Sequence, residues 1–219
     1  MVYMCGSNLE SDGAKASNDI SSMLAARANM EDVNVVLLLG GTTVWSTGYD
    51  ASVLTLLQLG TRRPSIVTTF PLTGMNESVT MSNFLTYCYE NYPADRYDLM
   101  IWDHGGGPIS GVCQDSLFKG DTLQLKELTD ALDASPFANG GLELVSFNAC
   151  LMSSAEVGVA LAPYANYMVA SEDTQYGLDF AWLSGIENDA DGLETGKKIV
   201  DSSFASNVEI RDRQSDSML

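Results

Sequence analysis

The stretch Asp98-Leu99-Met100-Ile101-Trp102-Asp103-His104-Gly105-Gly106-Gly107 is an apolar, strand-like run that ends in Asp103 and the chain's one histidine, then passes into three glycines. Further on, Leu142-Glu143-Leu144-Val145-Ser146-Phe147-Asn148-Ala149-Cys150 has the same form, a short apolar run that stops at a reactive side chain. In open α/β sheets the active crevice lies beyond the carboxyl ends of the strands. Two such runs, parallel and adjacent, bring His104 and Cys150 out at that edge side by side. A cysteine within hydrogen-bond reach of a histidine is an activated thiol nucleophile. The loop, helix and turn between the two runs supply the length that one parallel crossover needs.

Outward from these stretches the chain alternates strands and helices. Val2 to Cys5 reads as a strand ending at Gly6-Ser7-Asn8. From Asp12 a helix puts Ile20, Met23, Leu24 and Arg27 on one face, with Asn18 and Asp19 on the other. Val33 to Leu39 is a nearly continuous apolar strand, as expected where helices cover both faces of a sheet. Val53 to Leu57 and Ser65 to Phe70 suggest a hairpin joined near Gly60, with Arg62 and Arg63 exposed. Ser78 to Asn91 has helical spacing and exits at Pro93. Pro108 to Asp121 reads as a long loop beside the proposed site, and Leu123 to Leu132 as an amphipathic helix. Ser153 or Ser154 caps a further helix that stops at Pro163, and Met168 to Ala170 is a strand. Ile199 to Val208 is a candidate helix, and the tail from Arg211 reads as loose.

This alternation predicts an α/β fold, a three-layer α/β/α sandwich with a mostly parallel central sheet. No proline- or serine-rich linker divides the chain. It is therefore read as a single domain over 1–219, with 186–219 as a C-terminal extension. The abrupt start in a strand tail suggests a trimmed N-terminus, with no signal segment in the sequence itself.

Acidic residues outnumber basic ones 29 to 11, giving a formal net charge of -18. That argues against nucleic acid and anionic membrane surfaces, both of which need a positive footprint. It is compatible with a basic substrate or with divalent cations, and equally with an acidic solvated surface. No run reaches the length of a membrane span. One histidine and 4 cysteines without short paired spacing leave no zinc-type metal site. Cys5 and Cys88 fall in apolar patterns and read as inert thiols, whereas Cys113 lies in the loop, half-exposed or available for a disulfide.

The glycines after His104 add to the chemistry. They let the backbone approach a substrate carbonyl, so that the N–H groups of Gly105 and Cys150 would form an oxyanion hole. The same glycines would also serve simply to turn the chain. Asp103 is read as a core or cap residue, because neighbours at a strand end point apart. The reaction that fits is acyl transfer, with Cys150 attacking a peptide carbonyl and His104 moving the proton.

Four motifs in register, Val2 to Glu10, Tyr97 to Gly105, Phe147 to Met152 and Tyr167 to Glu172, resemble the clostripain family of cysteine peptidases. The resemblance implies a caspase-like fold, a dyad at His104 and Cys150, and endopeptidase activity after arginine or lysine on a protein or peptide substrate. It also implies a secreted or surface-attached bacterial protein made as a precursor, in some members cleaved in the loop after the histidine. Lys119 is the one basic residue of that loop here and the candidate processing site. Some members depend on calcium, but no calcium-loop spacing occurs, so no cofactor is required and at most a weak calcium effect is expected. A monomer is the default state.

The family usually carries aspartate two residues before the cysteine, where this chain has Asn148. The change puts basic P1 preference in question and makes Glu172 and Asp179, with Asn148, the candidate substrate-binding residues. Asp173 reads as solvated. The alternative is a catalytically impaired peptidase-like surface or binding protein.

Overall fold

A computed structural model describes residues 1–27, 33–60, 63–175, 177–178, 180–186 and 190–216, with side chains described as far as residue 205 apart from that of Arg27. In chain order the elements are β1 (Val2–Cys5), α1 (Ser7–Gly13), α2 (Lys15–Arg27), β2 (Val36–Gly40), β3 (Val53–Leu59), β4 (Pro64–Pro71), α3 (Ser78–Asn91), β5 (Tyr97–Trp102), α4 (Gly107–Ser110), β6 (Val112–Asp115), β7 (Asp121–Leu123), α5 (Leu125–Asp133), β8 (Leu142–Asn148), α6 (Ala155–Leu161), β9 (Ala165–Val169), a 3-10 turn (Phe180–Gly185) and α7 (Gly192–Asp216).

One seven-stranded sheet runs in the order β4-β3-β2-β1-β5-β8-β9. From β2 to β9 all neighbours are parallel, and β3 and β4 are added antiparallel at one side. Residue parity sorts the core into two layers. Tyr3, Cys5, Leu99, Ile101, Val145 and Phe147 face α3, α5 and α6. Met4, Met100, Trp102 and Leu144 face α2, the 3-10 turn and α7. Helices on both faces of a parallel sheet make the three-layer sandwich that the sequence predicts, and they explain why β1, β2 and residues 99–102 of β5 are apolar.

Helix starts follow local chemistry. Gln124 and Glu127 form a capping box at α5, the Gln124 N–H donating to Glu127 Oε2 at 2.8 Å. Ser154 caps α6, its side chain accepting from the Val157 N–H at 3.3 Å.

Several expectations need correction. Residues 108–121 are not one open loop. They form α4 and a β6–β7 hairpin, held down by the buried carboxylate of Asp115, which accepts from Met75 N at 2.7 Å and Leu117 N at 2.8 Å. Cys113 is fully buried in β6 with a free thiol, so it is neither half-exposed nor in a disulfide. The second helix starts at Lys15, because the chain first makes α1 and then turns at Ala14. Residues 211–216 continue α7 where a loose tail is expected from Arg211, and 217–219 lie outside the described residues. At the other end of α7 Gly192 N–H donates to Glu143 Oε1, and Ile199 is buried in the second core layer. Arg62 lies outside the described residues.

Candidate active site

The site follows from the register of β5 and β8. Trp102 pairs with Asn148, and one further bond, from Asp103 N–H to Asn148 O at 3.2 Å, extends the ladder past the ends of both strands. Trp102 lies on the α2 side of the sheet. Two residues further along each chain, and of the same parity, stand His104 and Cys150. Both are partly exposed at the carboxyl edge. The intervening residues take the opposite direction: Ala149 joins the other core layer, and Asp103 is buried against β1 and β6.

Gly105 closes the gap between the two chains. A Cβ there would lie 2.2 Å from Cys150 O and 3.1 Å from Cys150 N, so the position admits hydrogen alone. Gly105 also bridges Val112, with Gly106 N–H donating to Gly111 O at 2.9 Å and Cys113 N–H to His104 O at 3.3 Å. Among the described residues, neither the Gly105 nor the Cys150 amide N–H has a protein acceptor. Leu151, directly after the cysteine, sits at φ 62°, a left-handed conformation that costs a side-chain-bearing residue roughly 1 kcal/mol or more.

The imidazole of His104 is held from β1's end of the sheet. Its Nε2 lies 2.8 Å from Asn8 Oδ1, and because an amide oxygen only accepts, Nε2 carries the proton and Nδ1 is left as the basic atom. Partial burial lowers the histidine's pKa, so the ring is neutral at neutral pH. Asn8 was not among the sequence candidates. Its place in the first turn of α1, three residues past the end of β1, was the available signal.

Asp103 points away from the dyad. Its carboxylate accepts from Ser7 Oγ at 2.5 Å and Gln114 N at 2.5 Å, tying α1 and β6 to the end of β5. Burial raises its pKa to about 7. The reading of Asp103 as a core or cap residue agrees with this placement.

Below the dyad a polar chain runs through the sheet edge. Asp19 Oδ2 accepts from Trp102 Nε1 at 2.7 Å and from Asn148 Nδ2 at 3.3 Å, and Asn148 Oδ1 accepts from Gln175 Nε2 at 3.2 Å. Asp19 therefore does not stand on a solvent face of its helix: it turns inward, and burial raises its pKa to about 6. Gln175 also straddles the cysteine. Its N–H donates to Cys150 Sγ at 3.2 Å, and the thiol lies 3.9 Å from its carbonyl oxygen. The same loop is stitched to the chain after Cys150 by Leu151 N–H to Asp173 O and Ser153 N–H to Ser171 O.

The structure thus brings His104, Gly105, Asn148 and Cys150 to one edge. Glu172 is exposed and has no hydrogen-bond partner among the described residues, and Gln175 is the residue of that loop that reaches Asn148. Asp173 is exposed. Asp179 lies outside the described residues. Lys119 is exposed at the tip of the β6–β7 hairpin with φ 63°. Among the described residues no three histidine, cysteine or acidic side chains gather as a metal site. A cavity of about 640 Å³ opens at the opposite edge, among Met1, Asp98, Glu143, Phe180 and Ile199, and includes neither His104 nor Cys150. Strand direction and side-chain chemistry, rather than cavity size, locate the site.

A sequence profile of the clostripain family matches residues 2–216. Clostripain of Hathewaya histolytica is 26% identical over 240 residues of alignment, covering 90% of this chain and 45% of that protein, so the chain spans about half the length of the curated relative it matches. A secreted C11 cysteine protease from Bacteroides thetaiotaomicron, solved with an irreversible peptide inhibitor, superposes with a TM-score of 0.78 at 20% identity, over 95% of this chain and 58% of the other. An inactive zymogen C11 protease from Parabacteroides distasonis gives a TM-score of 0.67 at 20% identity, over 90% and 56%. At such identities the superpositions speak for the α/β/α fold alone. The profile, which spans the chain from β1 through α7 and takes in both candidate strands, makes the chain a member of the clostripain family.

Proposed function

We propose that the protein is a cysteine endopeptidase using His104 and Cys150, and the observation that carries the reading is the Trp102–Asn148 register pair with Gly105 packed on the backbone of Cys150. The thiol gives its proton to His104 Nδ1, and the sulfur forms a bond to the scissile carbonyl carbon while the carbonyl electrons move to oxygen. That oxyanion is met by the Gly105 and Cys150 amides. On collapse the C–N bond breaks and the imidazolium protonates the leaving amine. Water then attacks the thioester, His104 accepts its proton, and Cys150 departs to be reprotonated. Apart from the attacking water, every group in this proposed cycle is a side chain or backbone amide, so the cycle calls for no cofactor.

The proposed substrate is a protein or peptide, with arginine or lysine at P1 as the finer reading. The net charge of -18 favours a basic substrate and disfavours nucleic acid. Secretion or attachment at the cell surface is proposed from the secreted Bacteroides relative. Among the described residues, no helix is long and apolar enough to cross a membrane.

The test is turnover of a fluorogenic peptide library varied at P1 by the wild type, Cys150→Ala and His104→Ala. Wild-type cleavage falling at least about a thousandfold in both variants is expected. Undiminished cleavage by Cys150→Ala would sink the reading. A second reading, an impaired peptidase-like surface or binding protein, is favoured by the Gln175 backbone lying on both sides of the thiol. It would be supported by absent turnover together with a Cys150 that reacts with iodoacetamide no faster than a free thiol.

A further inference from the structure

Asn148 is oriented by its neighbours. A carboxylate only accepts hydrogen bonds, so the Asn148 Nδ2 must face Asp19 and its Oδ1 must face the other way, into the slot beside Cys150. The slot then presents an acceptor, backed by a carboxylate one side chain behind. The chain's own donor occupies it: Gln175 Nε2 sits 3.2 Å from Asn148 Oδ1. That donor is a poor permanent resident, because Gln175 Oε1 is buried and has no hydrogen-bond partner among the described residues.

The charge of Asp19 is also unspent. Among the described residues the ion pairs are Lys126–Asp130 and Lys198–Glu194, and neither includes Asp19. Among the described residues, Lys15, one turn earlier on α2, is the cation that acts on it, with Trp102 and Asn148 as its hydrogen-bond donors. Burial works against that carboxylate, and the compensation available at the site is a cation arriving in the slot.

We propose that Asp19, acting through Asn148, is the positioning residue that makes the slot beside Cys150 select a basic P1 side chain, whose N–H groups displace the Gln175 amide from Asn148 Oδ1. The inference rests on the peptidase reading for the name P1, but the selection itself is a binding property. It assigns to α2 a charge that position 148 lacks, and it gives Asn148 a role as relay rather than as a weakened acid.

Binding is therefore measured without turnover. Cys150→Ala is titrated calorimetrically with two peptides that differ only in arginine or alanine at the candidate P1 position. An arginine preference that falls roughly tenfold or more in Asp19→Asn/Cys150→Ala supports the proposal. So does recovery of the preference when Asn148→Asp is added, which moves the charge forward by one side chain and shows that the first variant is folded. Equal loss for both peptides, or an arginine preference unchanged by Asp19→Asn, overturns it. So does the absence of any preference in Cys150→Ala. A preserved preference in a protein that cleaves nothing would sink the peptidase reading while leaving Asp19 in its role.

Discussion

The Cβ that Gly105 lacks would lie 2.2 Å from the carbonyl oxygen of Cys150, closer than any side-chain carbon is found to a backbone oxygen. Adding a methyl group there moves the peptide unit of Cys150, the proposed nucleophile. Gly105→Ala is expected to lower kcat at least about a hundredfold, in line with loss of an oxyanion donor. The protein should still fold, because the displaced segment lies beyond the last ladder bonds. Circular dichroism unchanged with kcat collapsed is the expected pair of results, and a fully active variant would show that the contact is not made.

Asn8 fixes which nitrogen of His104 is basic. Asn8→Ala should reduce kcat roughly tenfold with little change in KM, since the ring remains but its orientation is no longer set. Asn8→Asp puts a carboxylate at the same atom and should move the acidic limb of the pH–rate profile upward by about one unit. An unmoved limb would mean that Nε2 does not face this residue during turnover.

The buried carboxyl of Asp103 makes stability depend on pH. Its pKa rises from 3.8 to about 7 through burial, so between those values the folded protein holds a proton that the unfolded chain releases. The stability it contributes is complete below the unfolded value and is lost as pH rises through about 7. The full span is on the order of 4 kcal/mol. Asp103→Asn, a neutral mimic of the protonated group, should flatten the dependence of the urea midpoint on pH between 4 and 8. A slope equal to wild type would remove Asp103 as its cause.

Gln175 covers the thiol with its backbone and fills the neighbouring slot with its amide. Gln175→Ala frees the slot while leaving the main chain in place, and should lower KM for a peptide substrate and speed alkylation of Cys150 several-fold. Slower alkylation would indicate that the amide orders the site instead of obstructing it.

Lys119 stands exposed at the hairpin tip, where a left-handed φ must be relaxed before a protease can extend it. If the chain processes itself there, fresh wild type converts with time to two fragments on a denaturing gel, and Lys119→Gln and Cys150→Ala both remain whole. An intact chain that is nonetheless fully active would show that cleavage is not needed.

What could be read from the sequence was what local chemistry decides. The limits of α3 coincide with the predicted span, because Pro93 punctuates its exit. The edge to which His104 and Cys150 come was legible because two apolar runs each stop at a reactive residue. Asp19 was not legible, since helical periodicity sorts residues into apolar and polar faces and hands every polar one to solvent. Its carboxylate turns inward to satisfy Trp102 and Asn148, partners 83 and 129 residues away. The β6–β7 hairpin was missed for a similar reason: strands of 4 and 3 residues carry too little alternation to register, and their anchor is a buried acid. Gln175 reaches Cys150 by a loop returning across the sheet edge, which no spacing within that loop reveals.

The placement of β1 carries a consequence for biosynthesis. It is the first strand of the chain and the middle strand of the sheet, flanked by β2 on one side and by β5 on the other. A ribosome must therefore release nearly a hundred residues before β1 gains its second neighbour, and the nucleophile follows later still. Chains that stall before residue 150 carry no nucleophile. Because Gln175 is synthesised after Cys150, the backbone that lies on both sides of the thiol is added later than the thiol itself.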